Sequence, residues 1–231
     1  MRLDFARLTT RERSKLLTAT VVPRPIALVT SRDAEGVRNA APISFFNCLQ
    51  STPPLLALGF EPRGPGAGKD SWANIQATGR FIVHLVDEPL AEAMNVSAMD
   101  FGPEVDELTE AGLETTPGDD VDVPRILAAP VAYECRLFQA IALGDANGIA
   151  LGEILGMHIR DDLLDVERMR VDTAALAPLA RLHNPGWYAR ATDLFQIRRL
   201  NPADWTLRGA AEGSAGSEKE QPRDMPQGRK S

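Results

Sequence analysis

The chain has 231 residues, of which 32 are acidic and 25 basic, giving a formal charge of −7. This balance lacks the clustered Lys and Arg that a nucleic-acid phosphate backbone requires. No run reaches the ~18 apolar residues of a membrane span, and the charged start, MRLDFARLTTRERSK, has no apolar signal core. Two cysteines, Cys48 and Cys135, cannot make a disulfide framework or a four-thiolate zinc site, so the expectation is a soluble cytoplasmic protein with reduced thiols.

Thr10 to Thr20 reads as a short amphipathic helix anchored by Leu16 and Leu17. Ile26–Ser31 and Val37–Ser44 are apolar strands around the polar turn Asp33-Ala34-Glu35-Gly36, a hairpin pattern. Leu55–Phe60 is a third strand, set up by Pro53-Pro54. Asp70–Ala77 reads as a helix, capped by Asp70 or Ser71 and stopped by Gly79. Arg80–Val86 is a strand and Leu90–Ala98 a helix. Val131–Leu143 and Ile149–Arg160 form a second, longer hairpin around an Asn-Gly turn, Asn147-Gly148. Trp187–Ala191 and Leu194–Arg198 offer a last strand pair. Two long hairpins without βαβ alternation imply a mainly β chain: an antiparallel barrel with peripheral helices. The folded domain is expected over residues 1–208. Residues 209–231, with almost nothing to bury, are expected to form a disordered tail.

Several patterns point away from familiar chemistries. RGPGAGKDS (Arg63–Ser71) imitates a phosphate-binding P-loop, but Arg63 stands at the first glycine and Asp70 replaces the magnesium-binding hydroxyl residue. His84, His158 and His183 show no metal-ligand spacing, so no metal site is expected. The acids at Glu104 to Glu110, Asp119-Asp120 and Asp161-Asp162 read as solvated surface, and both cysteines as small core residues.

Val21–Ser51 carries more information. Pro23-Arg24-Pro25 presents Arg24 rigidly at a strand mouth, and a guanidinium suits a phosphate or carboxylate. Asn39-Ala40-Ala41-Pro42-Ile43-Ser44 keeps side chains small, so a flat ligand can approach the backbone, with Phe45 and Phe46 as an apolar wall. Lys69-Asp70-Ser71 opens a helix whose first amides and positive dipole end favour an anion, aided by the Lys69 cation and the Ser71 hydroxyl.

PRPIALVTS, NAAPISFF, the Ser51-Thr52-Pro53-Pro54 step, KDSWANI, TGRFIVHLV, LGEILGMHI and PLARLHNPGWY, in that order over residues 10 to 200, resemble the flavin reductase-like family. This is the FMN-binding split-barrel group that includes flavoredoxins and the reductase components of two-component monooxygenases. The resemblance implies an antiparallel FMN-binding split β-barrel. It also implies FMN contacts at Arg24, Asn39, Ala41, Ser44, Phe45, Asn47, Ser51, Lys69, Asp70, Ser71 and Asn74. It implies a homodimer, NADH or NADPH as electron donor, hydride transfer to the flavin, and a possible partner monooxygenase. A non-catalytic FMN electron carrier and a barrel for another phosphorylated ligand are the alternatives. His84, where family members often carry asparagine, and His183-Asn184-Pro185, where they are richer in glycine, are departures.

Overall fold

Ile26 and Leu28 lie in one buried apolar cluster, and Ala27 and Val29 in another. That is the period-two alternation of a strand buried on both faces, and it fixes how the whole barrel is filled. The computed structural model describes residues 1–62, 68–102, 104–199 and 201. Residues 63–67 of the P-loop-like run and the tail 209–231 lie outside them. The chain divides after Ala191. In the second unit, residues 192–199 and 201 carry no helix or strand.

In chain order the elements begin with α1 (Thr10–Thr20), β1 (Arg24–Pro25), β2 (Ala27–Arg32), β3 (Arg38–Ile43), β4 (Phe46–Ser51), β5 (Pro54–Phe60), α2 (Asp70–Thr78) and β6 (Arg80–Leu85). They continue with α3 (Ala91–Val96), α4 (Glu107–Glu110), β7 (Thr115–Pro117), β8 (Pro124–Ile126), β9 (Val131–Ala142) and β10 (Gly148–Ile159). The short elements β11 (Leu164–Asp165), β12 (Arg170–Val171), α5 (Thr173–Leu176), β13 (Leu179–Arg181) and β14 (Tyr188–Arg190) follow. Seven strands form an antiparallel sheet in the order β3-β2-β6-β9-β10-β5-β4. Its two outer strands, β3 and β4, are consecutive in the chain, yet no ladder joins them among the described residues. The barrel is therefore split between β3 and β4.

The inside is filled by Leu56, Leu58, Phe60, Phe81, Val83 and Ala150 from the strands. Trp72 and Ile75 of α2 join the same cluster, so this helix plugs the barrel. Each such side chain contributes about 1.5–3 kcal/mol by leaving water. Outside the sheet, Leu28 and Ala40 pack with Leu90, Met94 and Leu108, which holds α3 and α4 against the wall. Both hairpins form; in the first, Asp33 Oδ1 accepts the Val37 amide at 2.7 Å and Gly36 takes φ +90°, whereas in the second Asn147 and Gly148 do not take the positive φ expected of an Asn-Gly turn, and the Leu143 amide donates to the Asn147 carbonyl at 3.1 Å.

Two expectations are corrected. α1 keeps its predicted bounds and a Thr9–Glu12 capping box, but it buries no residue, and Leu17 is 47% exposed. Leu16 and Leu17 point about 100° apart on a helix and cannot make one stripe. The last strand pair is β13 with β14, and Leu194–Arg198 lies in no strand. Alternation is weak in such short segments, so sequence could not choose the partner.

Candidate functional site

Ser44 and Phe45 turn the corner between β3 and β4, where the barrel is split. The Gly59 amide donates to the Phe45 carbonyl at 2.7 Å, and a Cβ on Gly59 would stand only 3.0 Å from Phe45 Cβ. Next to Gly59, Phe60 meets Trp72 with ring centroids 5.2 Å apart. Trp72 in turn sits so close over Gly148 that a Cβ there would fall 2.5 Å from its ring. Consecutive residues of β5 therefore touch the β3–β4 corner and Trp72 of α2, while Asp70 at the start of α2 lies beside Asp33 and Arg38, at the other end of β3 from Ser44.

The cap of α2 lies one residue before Asp70 and two before Ser71, the two expected caps. Lys69 is the N-cap, with no side-chain cap bond, because an ammonium has no acceptor to offer. Asp70 and Ser71 become the first helical residues. Asp70 suits the positive dipole end. Ser71 is fully buried, and its Oγ has no hydrogen-bond partner among the described residues. An orphaned buried hydroxyl costs about 1–3 kcal/mol. In the first turn of a helix, beside a lysine, it suits a phosphate oxygen.

Three expected contacts direct their polar atoms into the protein instead. The buried Arg24 guanidinium donates to the carbonyls of Thr18 (2.6 Å), Val21 (2.8 Å) and Leu182 (2.6 Å), and to Ser44 Oγ at 3.4 Å. It ties α1 and the segment after β13 to the corner. Burial, and then the neighbouring Arg181, pull its pKa down. Asn39 Nδ2 donates to both Glu107 oxygens, at 3.0 and 3.1 Å, while its Oδ1 accepts from Ser31. Asn74 donates to the same Ser31 hydroxyl at 3.3 Å. This buried polar chain joins α4, β3, β2 and α2. Glu107 also accepts the Ala40 amide at 3.0 Å. Since Ala40 points outward, alternation turns the Ala41 amide toward β2, and Pro42 has no amide to offer. The backbone donors expected around Ala41 for a ligand's edge are thus occupied by the sheet.

Around the corner, Ser44, Phe45 and Asn47 lie together. Asn47 is exposed, and its Oδ1 caps the Cys48 amide at 2.8 Å. Ser51, paired with Pro54, stands at the far end of β4, roughly 16 Å along the strand from Phe46. Asn39, Asp70 and Asn74 line a small cavity of about 60 Å³ with Asp33, Arg38 and Glu107. Its acidic walls do not suit an anion.

A larger groove, of about 810 Å³, begins at Ser44 and runs between α3 and the β13–β14 hairpin. Ile26, Pro42, Met94 and Leu179 make its apolar surfaces, and Trp187 and Tyr188 stand at its side. Arg190 grips Glu88 with two hydrogen bonds, which holds Glu88 below and Arg190 above their usual ranges. Arg181 lies 4.7 Å over the Tyr188 ring and donates to Asn184. Sequence reasoning missed Arg181. Its signal was a lone arginine in the otherwise apolar run PLARL.

Two further clusters are buried. Glu134, expected nowhere, accepts the amides of Asp119 (2.8 Å), Asp120 (2.6 Å) and Val121 (2.9 Å), and lies 2.6 Å from His158 Nε2. Burial raises its pKa, but these hydrogen bonds outweigh burial and leave the carboxyl below its ordinary value. Asp119 completes a trio whose ligand atoms all lie within 4.8 Å of one another. Each Glu134 oxygen already accepts two bonds, so the carboxylate has no lone pair left for an ion. His84 is fully buried, with Nδ1 3.0 Å from the Leu28 carbonyl and Nε2 accepting the Ile126 amide at 3.0 Å. Burial drives its pKa down to about 4.

The acidic runs are therefore not all solvated surface. Glu107 is buried against Asn39, and the backbone at Asp119-Asp120 wraps Glu134. Cys135 is core, with burial pushing its thiol pKa up, but Cys48 is exposed on β4.

No helix among the described residues is long and apolar enough to cross a membrane. A Flavin reductase like domain matches residues 19–174. An uncharacterized protein of Deinococcus radiodurans is 44% identical, covering 87% of this chain and 91% of that protein. Among solved structures, nitrilotriacetate monooxygenase component B from Bacillus cereus is 31% identical over 85% of this chain and 98% of its own, with TM-score 0.80. The 2-nitrobenzoate 2-nitroreductase of Pseudomonas fluorescens is 36% identical over 94% of this chain and 100% of its own, with TM-score 0.77. The domain match, these relatives and a seven-stranded barrel split between β3 and β4 agree: the chain belongs to the flavin reductase-like family and has its split-barrel fold.

Proposed function

We propose that the chain binds FMN between the β3–β4 corner and the first turn of α2, and acts as an NAD(P)H-dependent flavin reductase. The observation that carries this reading is the fully buried Ser71 hydroxyl, which has no hydrogen-bond partner among the described residues, beside Lys69 at the start of α2. Lys69 and Ser71 would hold the phosphate. Ser44, Phe45 and Asn47 would hold the ring and its side arm, with Phe45 supplying the apolar face. When bound, FMN would supply the redox chemistry, as acceptor of hydride from a reduced nicotinamide.

The protein's part is placement. Arg24 locks the corner to α1 and to Leu182, so Ser44 is held in position before any ligand arrives. Apolar walls exclude water where two flat rings must meet, and no side chain need act as acid or base. Arg24, Asn39 and Asn74 serve the site as braces in this reading.

The experiment is a titration of flavin-free protein with FMN and riboflavin, followed by absorbance. Replacing Lys69 and Ser71 together by alanine should weaken FMN at least tenfold and leave riboflavin nearly unchanged. Equal losses would remove the phosphate from this position. A second reading, reduction of a small acceptor by bound flavin, is favoured by the 36% identity to a nitroreductase over 94% of the chain. Turnover of NADH or NADPH with and without added free flavin separates the two. A homodimer and a partner oxygenase belong to the same proposal. Phe138, Ile141, Leu155 and Met157 on β9 and β10 are exposed apolar groups that a second copy would cover.

A further inference from the structure

Arg24 and Arg181 are direct partners in the antiparallel β1–β13 ladder. Like charges placed opposite one another in a sheet are destabilising. Neither guanidinium has a carboxylate partner among the described residues. Arg24 is occupied by three carbonyls and Ser44, and Arg181 donates to Asn184 while lying over Tyr188. The nearby acid, Glu88, is gripped by Arg190. Arg181 therefore lines an open groove with the Arg24 cation behind it, and Glu88, the one carboxylate among the described lining residues, is already paired with Arg190. Ser44 adds a hydroxyl whose proton is free to donate, since its oxygen is what accepts from Arg24 Nε.

The rest of the groove combines apolar surfaces with Asn95 and the Glu88–Arg190 pair. Ile26, Pro42, Met94 and Leu179 form its surfaces, and Trp187 is 58% exposed beside them. A bare inorganic anion would satisfy the charge and leave these surfaces wet. An uncharged apolar molecule would cover them and leave Arg181 without a counter-charge. The occupant that satisfies both is a small carboxylate with a flat apolar body, its head on Arg181 and Ser44 and its body against Ile26, Pro42 and Trp187. Arg181 has the planar donor fork that receives a carboxylate on two bonds, and its stacking on Tyr188 pre-orients that fork.

We propose that the groove between α3 and the β13–β14 hairpin is a binding site for an aromatic carboxylate, with Arg181 as the anion anchor and Ser44 as the second donor. This deepens the second reading above and rests on it: Ser44 belongs both to the flavin corner and to the groove, so such a molecule would lie next to the flavin as an electron acceptor.

The test is a tryptophan-fluorescence titration of the full chain with benzoate, benzamide and inorganic phosphate, alongside FMN uptake by the same preparation. Benzoate should saturate and bind at least tenfold more tightly than benzamide or phosphate. Arg181→Gln should reduce benzoate to the level of benzamide, with Arg181→Lys in between. Trp187→Phe should shrink the fluorescence change while calorimetry still registers benzoate. If Arg181→Gln does not fold, by circular dichroism, the Arg181→Lys and benzamide comparisons still decide. Equal binding of benzoate and benzamide, or of benzoate and phosphate, overturns the proposal, as does benzoate affinity indifferent to Arg181. Nicotinamide mononucleotide binding more tightly than benzoate through Arg181 overturns it too, by giving the groove to the hydride donor. FMN uptake without benzoate binding sinks the groove alone, and benzoate binding without FMN uptake sinks the flavin reading alone.

Discussion

Phe45 and Gly59 are held together by one short backbone hydrogen bond, with no room between them for a further carbon. This contact ties the β3–β4 corner, where the barrel is split, to the strand that also carries Phe60 and, through it, α2. Gly59→Ala must push Phe45 back by a few tenths of an ångström. We expect a stability loss of about 1–2 kcal/mol and an FMN affinity at least threefold lower. Denaturant unfolding and flavin titration measure the two. Unchanged FMN affinity in a destabilised protein would show that the corner does not touch flavin.

Ser71→Ala should move stability and binding in opposite directions. Removing a buried hydroxyl that has no partner among the described residues relieves its desolvation, so the flavin-free protein should gain about 1 kcal/mol. FMN should bind more weakly and riboflavin should not change. A flavin-free variant less stable than the parent would mean that the hydroxyl has a structural partner.

His84 makes stability depend on pH with a definite sign. Leu28 O can only accept and the Ile126 amide can only donate, so the ring must be neutral with its proton on Nδ1. Its pKa is about 4 when folded, against 6.5 when free, with burial as the chief cause. The unfolded chain therefore binds a proton that the folded one refuses. As pH falls from 6.5 to about 4, up to roughly 3 kcal/mol of stability is lost. His84→Asn should be less stable at pH 7 by about 1–3 kcal/mol, with a flatter profile across that window, and should keep its flavin stoichiometry. A parallel profile would remove His84 as the source.

Glu134 acts in the same direction at lower pH. Its carboxyl is held below its ordinary value, so its stabilisation is complete above that value and is lost as pH falls through the folded one. Glu134→Gln sets an amide NH₂ against groups that are already donors, so it should cost about 3 kcal/mol or more. Urea unfolding at pH 7 measures it. A cost below 1 kcal/mol would mean that the loop around Asp119–Val121 does not depend on the carboxylate.

Sedimentation equilibrium should give twice the 25.1 kDa chain mass. Phe138→Glu together with Met157→Glu should shift the protein to monomer. A monomeric parent would contradict the homodimer.

Continuous apolar strands and glycine-marked turns were legible in the sequence. Ile26–Ser31, the Gly36 turn, the long Asn147-Gly148 hairpin and the Gly79 stop are local signals, and each appears within a residue or two of its expected place. The partners of charged side chains were not legible. Arg24 looked like a ligand-binding cation because sequence does not show that three carbonyls from Thr18, Val21 and Leu182 converge on it. Glu107 looked like solvated surface because its helix has only four residues, too few to display a buried face. The cross-strand pair Arg24 and Arg181 joins residues 157 positions apart, and only the closed fold brings them together.

In the proposed site, flavin is held by its phosphate at Lys69 and Ser71 and by its ring at the β3–β4 corner. The most direct measurement is an absorbance titration of the flavin-free full chain with FMN, followed by gel filtration. One FMN per chain, with a perturbed visible band that stays with the protein through the column, is the predicted result. An unperturbed spectrum, with all the flavin eluting free of a folded protein, would contradict the account.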